Sequence, residues 1–135
     1  MKAKLFISAV ISLLLAGNLF SQTKNESMSN NNYSVEIIRY NIPKDQHSNF
    51  ENAYNEAGKY LKASKYCLGY QLIHGNDEPD HYIVIIHWTS IEEHLNGFRN
   101  SVGFMPFYEA VKPFYNNIEE MKHYNPTDIG FGKNR

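Results

Sequence analysis

The sequence contains a single cysteine and almost no excess charge, and each of these features excludes a class of protein. With Cys67 alone, the chain cannot form an intrachain disulfide framework. Thirteen Lys and Arg stand against 14 Asp and Glu, giving a net charge of −1, so the chain lacks the strongly basic character of a nucleic-acid-binding protein. The 135 residues suffice for one globular domain and are too few for two of full size.

The chain also lacks the short motifs of the commonest catalytic and metal sites. It has no C-x-x-C or H-E-x-x-H metal motif, no glycine-rich phosphate loop and no G-x-S-x-G nucleophile elbow. Its six histidines do not have the spacing of metal ligands, so we expect no dedicated zinc site. Aromatic residues, in contrast, make up 14% of the chain, which favours a core or a pocket lined by rings.

The most apolar run of the chain lies near its beginning. Residues 5–16 (LFISAVISLLLA) follow two lysines and precede small or neutral residues, which is the pattern of a secretory signal peptide. A bilayer requires roughly 20 apolar residues, so this run is short for a membrane span. We therefore predict a signal peptide at residues 1–21 and an exported protein, periplasmic or secreted, with no stable membrane anchor after cleavage. Cleavage after Asn18 and an uncleaved anchor are the alternatives.

The remaining chain alternates between strand and helix patterns. Residues 22–32 (QTKNESMSNNN) are polar and typical of a flexible leader. Runs of β-branched and aromatic residues predict strands, and apolar residues spaced three and four apart predict helices. The strands are expected at residues 33–42, 66–74, 81–88 and 116–124, the helical regions at about 48–64 and 90–112, and a tail at 125–135.

This order, β-α-β-β-α-β, predicts an α+β domain at residues 33–124 with the ferredoxin-like fold, an antiparallel sheet with helices on one face. The strand at 81–88 is the most apolar and is expected at the centre of the sheet. Proteins usually pair or cover the edges and the open face of so small a sheet. We therefore expect a homodimer in which two sheets come together.

The second helical region carries the most informative polar residues. His94 lies four residues before Phe98, so the two share one helix face, which we expect to pack on the sheet together with Ile91 and Leu95. A histidine on such a face is either a hydrogen-bonded core residue or a pocket acid or base. Arg99 either binds an anionic group of a substrate or is an exposed surface residue.

A second informative block, FMPFYEAVKPFY at residues 104–115, is rich in aromatic rings. It forms either core and dimer interface or a flat apolar pocket that stacks on a planar ligand. Phe104 favours the core, whereas Tyr108 and Tyr115 can direct hydroxyl groups into a pocket. The last predicted strand contains His123, and strand alternation leaves open whether its side chain points inward.

Several short patterns along this domain occur together in one known family. They are HW-x-S at residues 87–90, H-x-x-GFR-x-S at 94–101 with Glu93 before it, Phe104, PFY at 113–115 and HY at 123–124. With these residues the chain resembles the antibiotic biosynthesis monooxygenase domain family of the dimeric α+β barrel group, over residues 33–124. In one common form of that family a histidine stands where this chain has Phe98.

The resemblance implies a monooxygenase that oxidises a small phenol-like or quinol-like aromatic with O₂ and needs no cofactor. In that case His94 is the candidate base, and Arg99 or a tyrosine hydroxyl stabilises the substrate oxyanion. The residues then expected to bind the substrate are His87, Trp88, Phe98, Phe104, Tyr108, Tyr115 and His123. Two alternatives stay open, a haem-binding or haem-degrading protein of the same fold and a non-catalytic ligand-binding or stress module.

Overall fold

The computed structural model describes residues 33–131, so the predicted signal peptide and leader lie outside the described residues. The strands are β1 (Ser34–Asn41), β2 (Cys67–His74), β3 (His81–Trp88) and β4 (Ile118–Tyr124), and the α-helices are α1 (His47–Ala63) and α2 (Phe104–Val111). This order confirms the ferredoxin-like prediction. Within the described residues, no helix is long and apolar enough to cross a membrane.

The register of the sheet brings three strand ends together. The strand order is β2-β3-β1-β4 and all neighbours are antiparallel, which confirms the central position of β3. Ser34 at the start of β1 lies opposite Trp88 at the end of β3, and Glu36 lies opposite His123 near the end of β4. The side chains at these ends can therefore meet at one end of the sheet.

One face of the sheet carries the hydrophobic core. Side chains along β1 and β3 alternate between buried and partly exposed, because successive residues of a strand point to opposite faces. The buried face includes Ile38, Tyr40 and Ile86, and the apolar stripe of α1, which includes Phe50 and Leu61, packs on it. The space between this face and α2 is where the candidate site lies.

The second helical region departs from a regular α-helix. It begins as predicted, with the Ser90 hydroxyl oxygen accepting a hydrogen bond from the Glu93 backbone N–H at 3.0 Å. The chain then forms a π-turn over Glu93–Gly97 and a 3₁₀ turn over Phe98–Asn100 before α2 begins. In a π-turn the hydrogen bonds join residues five apart, so the side chains do not follow the 3.6-residue spacing.

This wider turn decides which side chains of the region face the sheet. His94 and Phe98 are 4% and 1% exposed, as predicted. Ile91 and Leu95, in contrast, are 47% and 38% exposed, so the prediction that they pack on the sheet is wrong. That prediction assumed one α-helical periodicity through the region, and the π-turn at Glu93–Gly97 interrupts it two residues after Ile91.

The single cysteine has the surroundings of an unreactive thiol. Cys67 is partly buried, and its Sγ donates a hydrogen bond to the Gly69 carbonyl oxygen at 3.6 Å. Burial raises the pKa of the Cys67 thiol above its usual range. The reactive thiolate is therefore disfavoured at neutral pH.

Two buried tyrosines offer a test of the core. The hydroxyl groups of Tyr40 and Tyr54 are hydrogen-bonded at 2.7 Å, and burial raises the pKa of Tyr40 to about 12. We expect Tyr54→Phe to lower the free energy of unfolding by about 1–3 kcal/mol, because the Tyr40 hydroxyl loses its partner. Urea denaturation measures this loss. The double variant Tyr40→Phe/Tyr54→Phe should lie closer to the wild type, and a single variant without any loss would contradict the expectation.

Candidate functional site

A cavity of about 130 Å³ lies between the buried face of the sheet and the segment that runs from the π-turn to the end of α2. The five aromatic residues predicted to bind a substrate all line it. Their ring centroids form a continuous row with neighbouring distances of 5.0, 5.9, 6.0 and 6.2 Å, in the order Trp88, Phe98, Phe104, Tyr108 and Tyr115. The row begins at buried Trp88 and ends at Tyr115, which is half exposed, so it extends from the core to the surface.

One end of this cavity is polar because β1 places Glu36 on the buried face. Glu36 is 3% exposed, and its Oε2 accepts a hydrogen bond from the Trp88 indole Nε1–H at 3.0 Å. Burial raises the pKa of the Glu36 carboxyl, while the Trp88 hydrogen bond and the charge of Arg99 act in the opposite direction. A buried carboxyl group at a cavity wall is a candidate for proton transfer or ligand binding.

Two histidines meet beside this carboxyl group. His94 Nδ1 and His123 Nε2 are hydrogen-bonded at 2.8 Å, so one ring nitrogen donates and the other accepts. His94 Nε2 lies 3.8 Å from Glu36 Oε2, and His123 Nε2 lies 3.9 Å from Glu36 Oε1. The His94 ring also stacks on the Trp88 indole, with centroids 4.2 Å apart and planes 6° from parallel. The ring of His94 is therefore fixed on one side by stacking and at its edge by hydrogen bonds.

Arg99 adds a positive charge to this end of the cavity. Its side chain is exposed over much of its length, and its Nε–H donates a long hydrogen bond of 3.5 Å to His94 Nε2. Burial, followed by the charges of Arg99 and His123, lowers the pKa of His94 to about 3, and burial and Arg99 lower the pKa of His123. Both imidazoles are therefore neutral at pH 7.

These groups form one continuous assembly, which we call the buried polar cluster: Glu36, Trp88, His94, Arg99 and His123. Its members come from β1, β3, the π-turn, the following 3₁₀ turn and β4. The His123 side chain is 19% exposed, whereas those of Glu36 and His94 are 4% and 5% exposed. His123 therefore links the buried members of the cluster with the protein surface.

The structure brings most of the predicted site residues together at this cavity, and their catalytic and substrate-binding roles stay predictions. His94 and Arg99 line the cavity, and His123 contacts His94 as described. His87, however, lies on the opposite face of the sheet, where its ring stacks on Tyr33 with centroids 5.5 Å apart. Adjacent residues of a strand point to opposite faces, so Trp88 points into the cavity and His87 away from it. The expected place of His87 in this site is therefore corrected.

The sequence predictions missed Glu36 and the tyrosine pair at the other end of the cavity. Tyr40 and Tyr54 both line it, and their hydroxyl groups are paired with each other. Glu36, Ile38 and Tyr40 are two residues apart along β1, so they share one face of the strand. A charged residue on the same face as apolar residues was the available signal for Glu36.

A comparison with models of protein families identifies one family for this chain. The family model for antibiotic biosynthesis monooxygenase matches residues 34–110. The uncharacterized protein YczJ of Bacillus subtilis (strain 168) is 22% identical over 89 residues, which cover 66% of this chain and 94% of YczJ.

Solved structures share the fold at low sequence identity. A mutant form of SnoaB, a cofactor-independent oxygenase from Streptomyces nogalater, has a TM-score of 0.61 at 14% identity, covering 76% of this chain and 99% of that chain. Rv0793 from Mycobacterium tuberculosis has a TM-score of 0.59 at 16% identity, and the match covers 73% of this chain and 99% of Rv0793. At such identities the likeness establishes the fold, and the chemistry has to be argued from the site.

Proposed function

Because the chain belongs to the antibiotic biosynthesis monooxygenase family, we propose that it oxidises a small phenol or hydroquinone with O₂ and without a bound cofactor. The observation that carries this proposal is the ring-lined cavity with the buried polar cluster at one end. An apolar cavity of about 150 Å³ accepts benzene. The cavity here, about 130 Å³, therefore fits a substrate with one aromatic ring. The structural similarity to SnoaB, a cofactor-independent oxygenase, supports the proposal.

The buried polar cluster can activate such a substrate. With its hydroxyl group at the polar end, the substrate gives its proton to His94 Nε2, and the Arg99 guanidinium stabilises the phenolate that forms. The negative charge of the phenolate beside the ring favours the protonated imidazole and so offsets the low pKa that His94 has in the empty cavity. The hydrogen bond from His94 Nδ1 to His123 Nε2 offers the proton a route toward the surface. The rings of Trp88 and Phe98 hold the substrate ring and exclude water from it.

The reaction balances without an external reductant. For hydroquinone, one atom of O₂ replaces a ring hydrogen, the ring is oxidised to hydroxybenzoquinone, and the other oxygen atom leaves as water. The ring supplies all the electrons that O₂ takes up, because both the new C–O bond and the conversion of the diol to the dione oxidise it. Deprotonation is the step that the protein must assist, because the phenolate gives up an electron more readily than the phenol.

The proposal is tested with an oxygen electrode and purified protein in metal-free buffer. We expect protein-dependent O₂ uptake with hydroquinone and methylhydroquinone, and little with naphthohydroquinone, whose second ring exceeds the cavity. Isotopically labelled O₂ should place one labelled atom in the product. Heat-denatured protein is the control for spontaneous oxidation. Uptake with none of the compounds would contradict the proposal and favour the non-catalytic alternative.

The volume of the cavity argues against the haem alternative. Haem is a macrocycle of four pyrrole rings, and the cavity accommodates about one ring. Titration of haem into the purified protein should therefore leave the Soret band of free haem without a saturable shift. A saturable shift that His94→Ala or His123→Ala abolishes would restore the haem alternative.

We also propose that the protein is a homodimer joined through the outer face of the sheet. Both α-helices pack on the other face, and the outer face presents apolar side chains on neighbouring strands: Val35, Ile37, Ile73, Ile83 and Ile85. Large contiguous apolar patches are typical of protein–protein interfaces. A second copy of the same sheet would cover this patch.

A charge placed in the centre of the patch tests the dimer. Ile37 lies opposite Ile85 in the sheet, and we expect Ile37→Glu to weaken dimerisation at least about tenfold, because a buried unpaired carboxylate opposes association. Light scattering after gel filtration measures the mass. Val102→Glu is the matched control, because Val102 is 99% exposed outside the sheet. An unchanged dimer of Ile37→Glu would place the interface elsewhere.

Export is the remaining part of the proposal, and the signal-peptide pattern of residues 1–21 supports it. Expression of the full chain in a bacterium with a periplasm should yield a protein whose mass corresponds to cleavage after Ser21. Recovery of the uncleaved chain in the membrane fraction would favour an anchor.

A further inference from the structure

Three potential metal ligands converge at the polar end of the cavity although they are far apart in the sequence. Glu36, His94 and His123 each offer one ligand atom, and these atoms all lie within 4.8 Å of one another. They come from β1, the π-turn and β4, so no spacing pattern in the sequence reveals them. The absence of a metal motif predicted no dedicated zinc site, and strand register is what brings this group together.

We propose that Glu36, His94 and His123 form a binding site for one divalent transition-metal ion. Two imidazoles and one carboxylate on one side of an ion, with open positions on the other, are typical ligands of iron(II) and of zinc. Calcium and magnesium prefer ligand sets made of oxygen atoms, so the two nitrogens disfavour them. The open positions would face the cavity, which Glu36 and His94 both line.

The separations between these atoms are close to those of a metal site. In a tetrahedral site with bonds of about 2.1 Å, ligand atoms lie about 3.4 Å apart. Here His94 Nδ1 and His123 Nε2 are 2.8 Å apart, His123 Nε2 lies 3.9 Å from Glu36 Oε1, and the ligand atoms that the three residues offer all lie within 4.8 Å of one another. Shifts of about 1 Å would therefore bring one nitrogen of each histidine and one carboxylate oxygen of Glu36 to bonding distance.

The hydrogen bonds of the three residues are also compatible with a bound metal ion. His94 and His123 share a single proton between two facing nitrogens, and a cation that enters between them takes the place of that proton. Trp88 donates to Glu36 Oε2, which orients the carboxylate and leaves Oε1 on the side of His123. Such outer hydrogen bonds fix the orientation of metal ligands in many sites.

Arg99 opposes the binding of a cation and provides a sharp test. Its Nε lies 3.5 Å from His94 Nε2, so its charge repels an ion bound to the other nitrogen of the same imidazole. Replacing Arg99 by glutamine removes the repulsion and keeps a polar side chain. We therefore expect Arg99→Gln to bind the ion more tightly than the wild type, by several-fold, whereas loss of a ligand weakens binding.

This inference does not rest on the proposed oxygenase activity. A bound ion would occupy a ring nitrogen of His94, the same ring that accepts the proton in the cofactor-free reaction. The metal-free and metal-bound proteins are therefore two forms with different chemistry at one site. Each form can be tested by its own measurement.

The test is a titration of EDTA-treated, dialysed protein with Co²⁺, followed by visible absorption and calorimetry. We expect saturable absorption bands at one Co²⁺ per chain, displacement by Zn²⁺ and release of protons on binding. Glu36→Gln, His94→Ala and His123→Ala should each weaken binding by at least about tenfold. His81→Ala is the matched control and should bind as the wild type does, because His81 lies at the start of β3, whereas the site adjoins Trp88 at the end of that strand.

Three results would overturn the inference: no saturable Co²⁺ spectrum, unchanged binding in all three ligand variants, or binding that His81→Ala abolishes. If His94→Ala fails to fold by circular dichroism, the isosteric Glu36→Gln and the partly exposed His123 position decide the matter. Co²⁺ binding without O₂ uptake in metal-free buffer would contradict only the proposed oxygenase. O₂ uptake without Co²⁺ binding would contradict only the metal site.

Discussion

Replacing His94 by alanine is expected to lower kcat for the aromatic substrate by about 10²–10⁴-fold, the usual contribution of a general base. Among the described residues that line the cavity, His94 is the only one with an imidazole. Its ring is held by stacking on Trp88 and by the hydrogen bond to His123, so its direction is fixed before the substrate binds. Initial rates of O₂ uptake in metal-free buffer measure the effect.

A comparison with another histidine separates chemistry from general damage. His81→Ala removes the same type of ring at the start of β3, the end of that strand far from Trp88 and the site. It should leave the rate within about twofold of the wild type. Added imidazole can enter the space that His94→Ala leaves beside Trp88 and should restore part of the rate. Uptake at the full rate in His94→Ala would contradict its role as the base.

The largest loss of stability is expected from Trp88→Ala, about 3–5 kcal/mol of the free energy of unfolding. Trp88 is 1% exposed, and its indole packs against His94 and Phe98 at centroid distances of 4.2 and 5.0 Å. The substitution leaves a space in the core and also removes the N–H group that binds the buried Glu36 carboxyl. Urea denaturation followed by circular dichroism measures the change.

Trp88→Phe reduces the loss of packing while it removes the hydrogen bond. It removes the N–H donor to Glu36 and one of the two fused rings but keeps most of the aromatic packing, so the expected loss is smaller, about 1–3 kcal/mol. Leu68→Ala, on the neighbouring strand and 60% exposed, should change stability by no more than about 0.5 kcal/mol. A loss below about 1 kcal/mol for Trp88→Ala would show that the indole does not pack as described.

The strands could be predicted because their pattern is simple. β3 begins and ends at the predicted residues, His81 and Trp88, since an uninterrupted β-branched and aromatic run is bounded by a turn and by Thr89 and Ser90. The π-turn could not be predicted in the same way. The π-turn places the His94 ring on the Trp88 indole, and that contact between two elements does not follow from local spacing.

The residues of the candidate site also differ in whether a local sequence pattern could indicate them. His94, Arg99 and the five rings lie within one stretch of the sequence, so a local pattern could indicate them. To predict Glu36 as a site residue, two further facts were needed. Its face of β1 is the buried one, and β4 pairs with β1 so that His123 lies opposite Glu36. A glutamate in a strand is exposed in most proteins, and only the apolar residues on the same face of β1 argued otherwise.

The π-turn at Glu93–Gly97 has a consequence for evolution and for sequence alignment. A turn that joins residues five apart holds one residue more than an α-helical turn, so it is equivalent to a one-residue insertion. Relatives without this insertion would carry equivalent side chains at positions that differ by one in this segment. Phe98 follows this turn directly, and its ring lies in the row that lines the cavity. A comparison of catalytic residues across the family should therefore superpose positions in space, since an inserted residue can exchange the side chain that reaches the cavity while the strands around it stay unchanged.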